Sequence, residues 1–125
     1  MKQVEVYTDG ACRGNPGRGG FGVVLKYREF RREMSSGFRR TTNNRMEVLA
    51  VIAALEALKE PCILTIYSDS RYLIDTMEKG WLDRWRKNGW KNTSGDAVKN
   101  IDLWRRLFVA KIRHRCKFIW VKGHA

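Results

Sequence analysis

The sequence predicts an α/β domain, a mixed β-sheet flanked by helices, on three observations. Two early strand-like runs are joined by a short turn, which pairs them antiparallel. Later strand-like runs alternate with helical ones, and such crossovers pair strands in parallel. Between the two blocks lies one long helical stretch that is apolar almost all round, as a helix buried against a sheet must be.

In chain order, residues 4–8 alternate as a first strand. A glycine-dense stretch follows (Gly10, Gly14, Gly17, Gly19, Gly20, Gly22) and reads as a loop. "FGVVLKY" and "REMSSGF" read as two further strands with "REFR" as their turn. "NNRMEVLAVIAALEALK" is the buried helix, with Asn44 and Glu47 spaced as a capping box and Pro61 as its stop. "CILTIYS" is a fourth strand. Three helices follow, over "SRYLIDTMEK", "WLDRWRKNGWK" and "IDLWRRLFVAKI", with "TSGDAVKN" as a loop before the last. "KFIWVKG" closes the order as a fifth strand. Trp104 and Trp120 are expected in the core. No internal repeat or low-complexity linker is present, and the length suits one domain.

Of the residues, 43% are apolar, enough for a core, and 30% are charged; the net charge is +12. Such a charge implies an anionic partner, nucleic acid first and an anionic membrane surface second. No run of 18 apolar residues provides a membrane span, and the N-terminus enters a strand at once rather than a signal peptide. Cys12, Cys62 and Cys116 are odd in number and form no C-x-x-C pair, which points to reduced thiols and a cytoplasmic protein.

Chemistry in open α/β sheets gathers at the carboxyl ends of strands. There "VYTDG" and "IYSDS" place Asp9 and Asp69 at matching positions, and Glu47 sits near the start of the buried helix. Three acids brought together in a basic protein repel unless a cation intervenes. Mg²⁺ or Mn²⁺ suits carboxylate oxygens, and a pair of such ions about 3.5–4 Å apart is a device for phosphodiester cleavage. Singly, each acid has a plainer reading. Asp9 opens an Asp-Gly turn, Glu47 complements a helix dipole, and Asp69 caps a helix. The glycine stretch lacks GK[ST] and leads to a strand, so it is neither a P-loop nor a dinucleotide fingerprint. It would let backbone approach a sugar-phosphate chain, with Cys12, Asn15, Asn43 and Asn44 facing that groove. "GWLDRWRKNGWK" is either a packed aromatic face beside a solvated basic one, or a surface that stacks on sugars and grips phosphates.

The segments "TDGACRGNPGRGGFG", "TTNNRMEVLAVIAALEAL", "YSDSRYLI", "GWLDRWRKNGWK", "VKNIDLW" and "WVKGHA" together resemble the type 1 ribonuclease H family, in the family's order and over nearly the whole chain. The resemblance implies the ribonuclease H-like fold, a five-stranded mixed sheet with helices on both faces. It also implies metal-dependent cleavage of the RNA strand of an RNA/DNA hybrid, leaving 5′-phosphate and 3′-hydroxyl ends, by a monomer. Asp9, Glu47 and Asp69 match its metal-binding catalytic carboxylates, with Asp9 expected to bridge two ions, and His124 matches its catalytic-loop histidine. Gly10 (through its backbone), Cys12, Asn15, Asn43 and Asn44 match its RNA contacts. Thr42 and Asn100, with Arg40 beside them, match its DNA-phosphate pocket. The basic handle matches Trp81, Arg84, Trp85, Arg86 and Lys87, on to Lys91. Arg71 stands where the family often carries Gln. A fourth carboxylate, expected on a last helix after "VKGHA", has no match. The chain is therefore expected to be a single catalytic domain over residues 1–125 that is incomplete at its C-terminus. A non-catalytic hybrid-binding module and a nuclease for other duplexes, as in integrases and resolvases, are the competing expectations.

Overall fold

The computed structural model describes residues 1–123. Five strands and four helices alternate as expected: β1 (Lys2–Cys12), β2 (Gly17–Tyr27), β3 (Phe30–Thr41), α1 (Asn43–Ala57), β4 (Cys62–Ser68), α2 (Arg71–Glu78), α3 (Trp81–Lys87), α4 (Ile101–Lys111) and β5 (Arg115–Trp120). The strands lie in one sheet of order β3-β2-β1-β4-β5. β1–β2 and β2–β3 are antiparallel hairpins, while β1–β4 and β4–β5 are parallel.

The early strands are longer than the sequence suggests. The expected glycine loop is largely strand: Gly10 pairs with Phe21, and Gly19 and Gly20 pair with Cys12 and Ala11. Glycine weakens an isolated strand, but here the pairing of three neighbouring strands overrides that preference. The turn between β2 and β3 is confined to Arg28 and Glu29, with Phe30 already in β3. Arg28 takes a positive φ of 54° there.

The period-2 pattern sorts the sheet's two faces. Val4, Val6, Val23, Leu25, Cys62, Leu64, Ile66 and Phe118 point to one face and are buried. α1 lies on that face and buries Met46, Val48, Ala50, Val51, Ile52, Ala54 and Leu55. Leu73 and Ile74 of α2, Leu82 of α3, and Leu103, Trp104 and Leu107 of α4 join the same core. Of the helices expected on both faces, the described residues supply those on this one. The other face carries Tyr7 stacked on Tyr67, with centroids 4.8 Å apart, and a groove of 660 Å³ that also takes in Met34 and Val121.

Two helix-cap expectations are corrected. Thr42, not Asn44, caps α1; its hydroxyl accepts the Arg45 N–H at 3.2 Å. No Asn44–Glu47 box forms, because the Glu47 carboxylate is turned to β1. Ser70 rather than Asp69 caps α2, accepting from the Leu73 N–H. α1 ends at Ala57 with Leu58 as its cap, ahead of Pro61. Trp104 is fully buried, but Trp120 is 37% exposed and is not a core residue.

At the far end of the sheet His114 is buried, and its Nδ1 accepts the Cys62 N–H at 3.0 Å. Burial, helped by the Arg113 guanidinium, pushes its pKa below the ordinary 6.5. The unfolded chain therefore takes up this proton more readily than the folded one. The stability His114 contributes above pH 6.5 is lost as the pH falls. Chemical denaturation between pH 7 and 5 should show that loss. His114→Asn, which keeps an acceptor but cannot titrate, should flatten this component relative to the parent chain.

Candidate active site

Parallel pairing of β1 with β4 ends at Tyr7 and Tyr67. Asp9 and Asp69 stand two residues beyond these partners, so both carboxylates leave the sheet at one register and on one edge. Asp9 is not in a turn: it continues β1 and pairs with Gly22. Glu47 reaches the same edge from α1. It lies beyond the helix's first turn, where the dipole's benefit has faded, so it is not a dipole partner.

Gly10 sets the approach of α1. A Cβ there would lie 2.7 Å from the Glu47 nitrogen, its Oε1 and the Met46 carbonyl carbon. With hydrogen in that place, the Gly10 N–H donates to Glu47 Oε1. Gly123 lies against Asp69, with a would-be Cβ 2.7 Å from Oδ2. The oxygens of Asp9, Glu47 and Asp69 converge within 4.8 Å of one another.

Glu47 is only 3% exposed. Burial, with the charges of Asp69 and Asp9 added, pushes its carboxyl up to about 8, against the partial relief from Gly10. None of the ion pairs among the described residues joins Asp9, Glu47 or Asp69. An oxygen-only set with no basic partner among the described residues, buried at Glu47 and open at Asp9, fits a hard divalent cation.

The other expected site residues fall into three groups. Around the start of α1, Asn15 Oδ1 accepts the Asn43 N–H at 3.3 Å, and Asn43 and Asn44 are exposed. The half-buried Cys12 thiol donates to the Thr41 and Gly17 carbonyls. Thr42 and Asn100 are linked through Arg45. That guanidinium forks onto Asp102 at 3.0 and 2.7 Å and also donates to Asn100 Oδ1 at 3.3 Å. Asn100 Nδ2 donates to the Tyr72 hydroxyl, which also accepts from Trp104 Nε1. Sequence reasoning missed Arg45 and Tyr72; neither carries a local signal, because their partners are 57 and 32 residues away.

In the handle, Trp81 and Trp85 lie on one face with centroids 6.4 Å apart, and Trp85 packs 5.9 Å from Trp104. Arg84, Arg86, Lys87 and Lys91 remain exposed. The aromatic packing and the basic surface are therefore two faces of one helix. Arg71 is exposed at the start of α2, and Arg40 is exposed near the end of β3. His124 lies outside the described residues.

The buried acid predicts a stability cost. The folded chain holds the Glu47 proton up to about 8, whereas the unfolded chain releases it near 4.5. The stability this group gives at low pH is therefore lost as the pH climbs toward 8. Glu47→Gln should raise the melting temperature of the metal-free protein at pH 8 by several degrees, on the order of 1–3 kcal/mol. Calorimetry at pH 5 should show a much smaller difference.

Comparison with known proteins agrees with this geometry. The RNase H family model matches residues 1–125. The ribonuclease H of Syntrophus aciditrophicus is 58% identical over 125 residues, all of this chain and 72% of that protein. The ribonuclease HI of Haemophilus influenzae is 53% identical over 99% of this chain and 80% of its own. Among solved structures, LC9-RNase H1, described as a type 1 RNase H with the type 2 active-site motif, superposes with a TM-score of 0.87 at 35% identity. The match covers all of this chain and 65% of that one. LC11-RNase H1, solved in complex with an RNA/DNA hybrid, gives 0.70 at 25% identity over 95% and 85% of the two chains. With its whole length matched by the family model and its fold shared with solved members, the chain belongs to the ribonuclease H family.

Proposed function

We propose that this chain is an endonuclease that hydrolyses the RNA strand of an RNA/DNA hybrid at a divalent-metal centre held by Asp9, Glu47 and Asp69. The observation that carries this reading is the convergence of the three carboxylates within 4.8 Å, without a basic partner among the described residues. Asp9, the exposed member of the set, would hold the divalent metal together with Glu47 and Asp69. When bound, Mg²⁺, or Mn²⁺ in its place, supplies charge stabilisation at the phosphate and a more acidic water.

The chain's own residues do the rest. The Gly10 N–H holds Glu47 in one orientation, so ligand geometry is set before substrate arrives. Asn15, Asn43 and Asn44, beside the glycine backbone, would contact 2′-hydroxyls and base edges of the RNA strand, which is how RNA is told from DNA. Thr42 and Asn100, with Arg40 near, would receive a phosphate of the DNA strand. Arg84, Arg86 and Lys87 would neutralise phosphates further along, with Trp81 and Trp85 fixing the helix that presents them. His124, next after Gly123 in the sequence, would shuttle a proton or help product leave. Residues 1–125 act in this proposal as one catalytic domain of a monomer. Its three free cysteines favour the cytoplasm, and no described helix is long and apolar enough to cross a membrane.

Labelled hybrid incubated with Mg²⁺ or Mn²⁺ should be cut in its RNA strand only, and EDTA should stop the reaction. Duplex DNA of the same sequence should survive. Binding without turnover under every metal condition would instead identify a hybrid-binding module. Asp9→Asn should lower the cleavage rate by more than about 10²-fold while hybrid affinity in EDTA changes little. Replacing Arg84, Arg86 and Lys87 together with Gln should weaken hybrid binding. It should also flatten the plot of log affinity against log salt by about 2–3 units, read by fluorescence anisotropy.

A further inference from the structure

Arg71 is a cation in an unfavourable place. It is the first residue of α2, where the positive end of the helix dipole disfavours it. Among the described residues it makes no ion pair. It is held by Trp120 instead: the guanidinium carbon stands 3.8 Å from the centroid of the indole ring.

Trp120 is itself anchored to the catalytic edge. Its Nε1 donates to the Asp69 carbonyl at 3.2 Å. It is the last residue of β5 paired with β4, opposite Ser68, and the Val121 N–H continues that pairing to the Ser68 carbonyl at 2.9 Å. The indole is 37% exposed, and the Arg71 guanidinium stands over its ring. Stacking leaves the in-plane N–H groups of the guanidinium free to face outward, and that fork fits two phosphate oxygens.

Building on the function proposed above, we infer that Trp120 is a positioning residue, which holds the Arg71 guanidinium for a phosphate of the bound hybrid beside the carboxylate cluster. One residue thereby ties a phosphate contact to the backbone that carries Asp69. Arg71 makes the contact, and Trp120 acts only through it.

The test is a double-mutant cycle on hybrid binding in EDTA across a salt series, with cleavage kinetics in Mg²⁺ alongside. Arg71→Gln should weaken binding about 5–10-fold near 0.1 M salt and flatten the salt dependence by about one unit, equally across hybrid sequences. Trp120→Leu should reproduce most of that loss, chiefly in KM, and the double variant should be little worse than either single one. Trp120→Phe keeps an aromatic face and should restore most of the affinity. Arg71→Lys, at an exposed position that does not endanger folding, should keep the salt dependence but bind about 2–5-fold more weakly.

Additive losses, an unchanged salt dependence, a loss that varies with base sequence, or an Arg71→Lys variant equal to the parent would each overturn the inference while leaving the nuclease reading intact. A parent chain that binds no hybrid would remove both.

Discussion

The parallel pairing of β1 with β4 is the constraint on which the site depends. Side chains alternate along a strand, so a slip of one residue would send Asp9 to the opposite face from Asp69. The register is held from below by Val4, Val6, Leu64 and Ile66, all buried under α1 and its neighbours. The same hydrophobic pattern that stabilises the sheet therefore aligns two repelling carboxylates at its end. The apolar core supplies the free energy that holds them together. α1 brings the third acid only because Gly10 offers no side chain where helix and strand meet.

Much of this was legible in the sequence because it is written in local patterns. Element order followed from apolar periodicity, and the resemblance of "VYTDG" to "IYSDS" correctly placed Asp9 and Asp69 at equivalent positions. The failures came where long-range pairing decided the outcome. Glycines 17, 19, 20 and 22 looked like a loop, yet β3 pairs with all four and β1 with the last three. Asn44 looked like a cap because Glu47 follows at the right spacing. Thr42 takes the cap because the helix already begins at Asn43, which leaves Asn44 inside it, and the Gly10 N–H takes the Glu47 carboxylate. Trp120 looked like core because it follows Phe118 in alternation, but it stands at the end of β5, beyond the helices that cover Phe118.

The electrostatics of the molecule are divided in space. A net charge of +12 is spread over exposed Arg and Lys side chains, while the acids that matter are withdrawn to one edge. The excess positive charge raises the local concentration of a polyanion and speeds its arrival, an effect that salt screens. The withdrawn acids repel that same polyanion at short range. A divalent cation held where the phosphate meets the carboxylates would remove that repulsion.

The aromatic contacts behind the handle bear on how a duplex would be held. Trp85 packs on Trp104, Trp104 and Asn100 both donate to the Tyr72 hydroxyl, and Arg45 joins Asn100 to the start of α1. These links run without a break from the basic helix to the helix that carries Glu47. The handle is therefore packed against the same body that carries the acids. A long polymer landing on such a body would meet handle and acids already joined by packing, so that part of the ordering cost would fall on the nucleic acid, which can bend or slide.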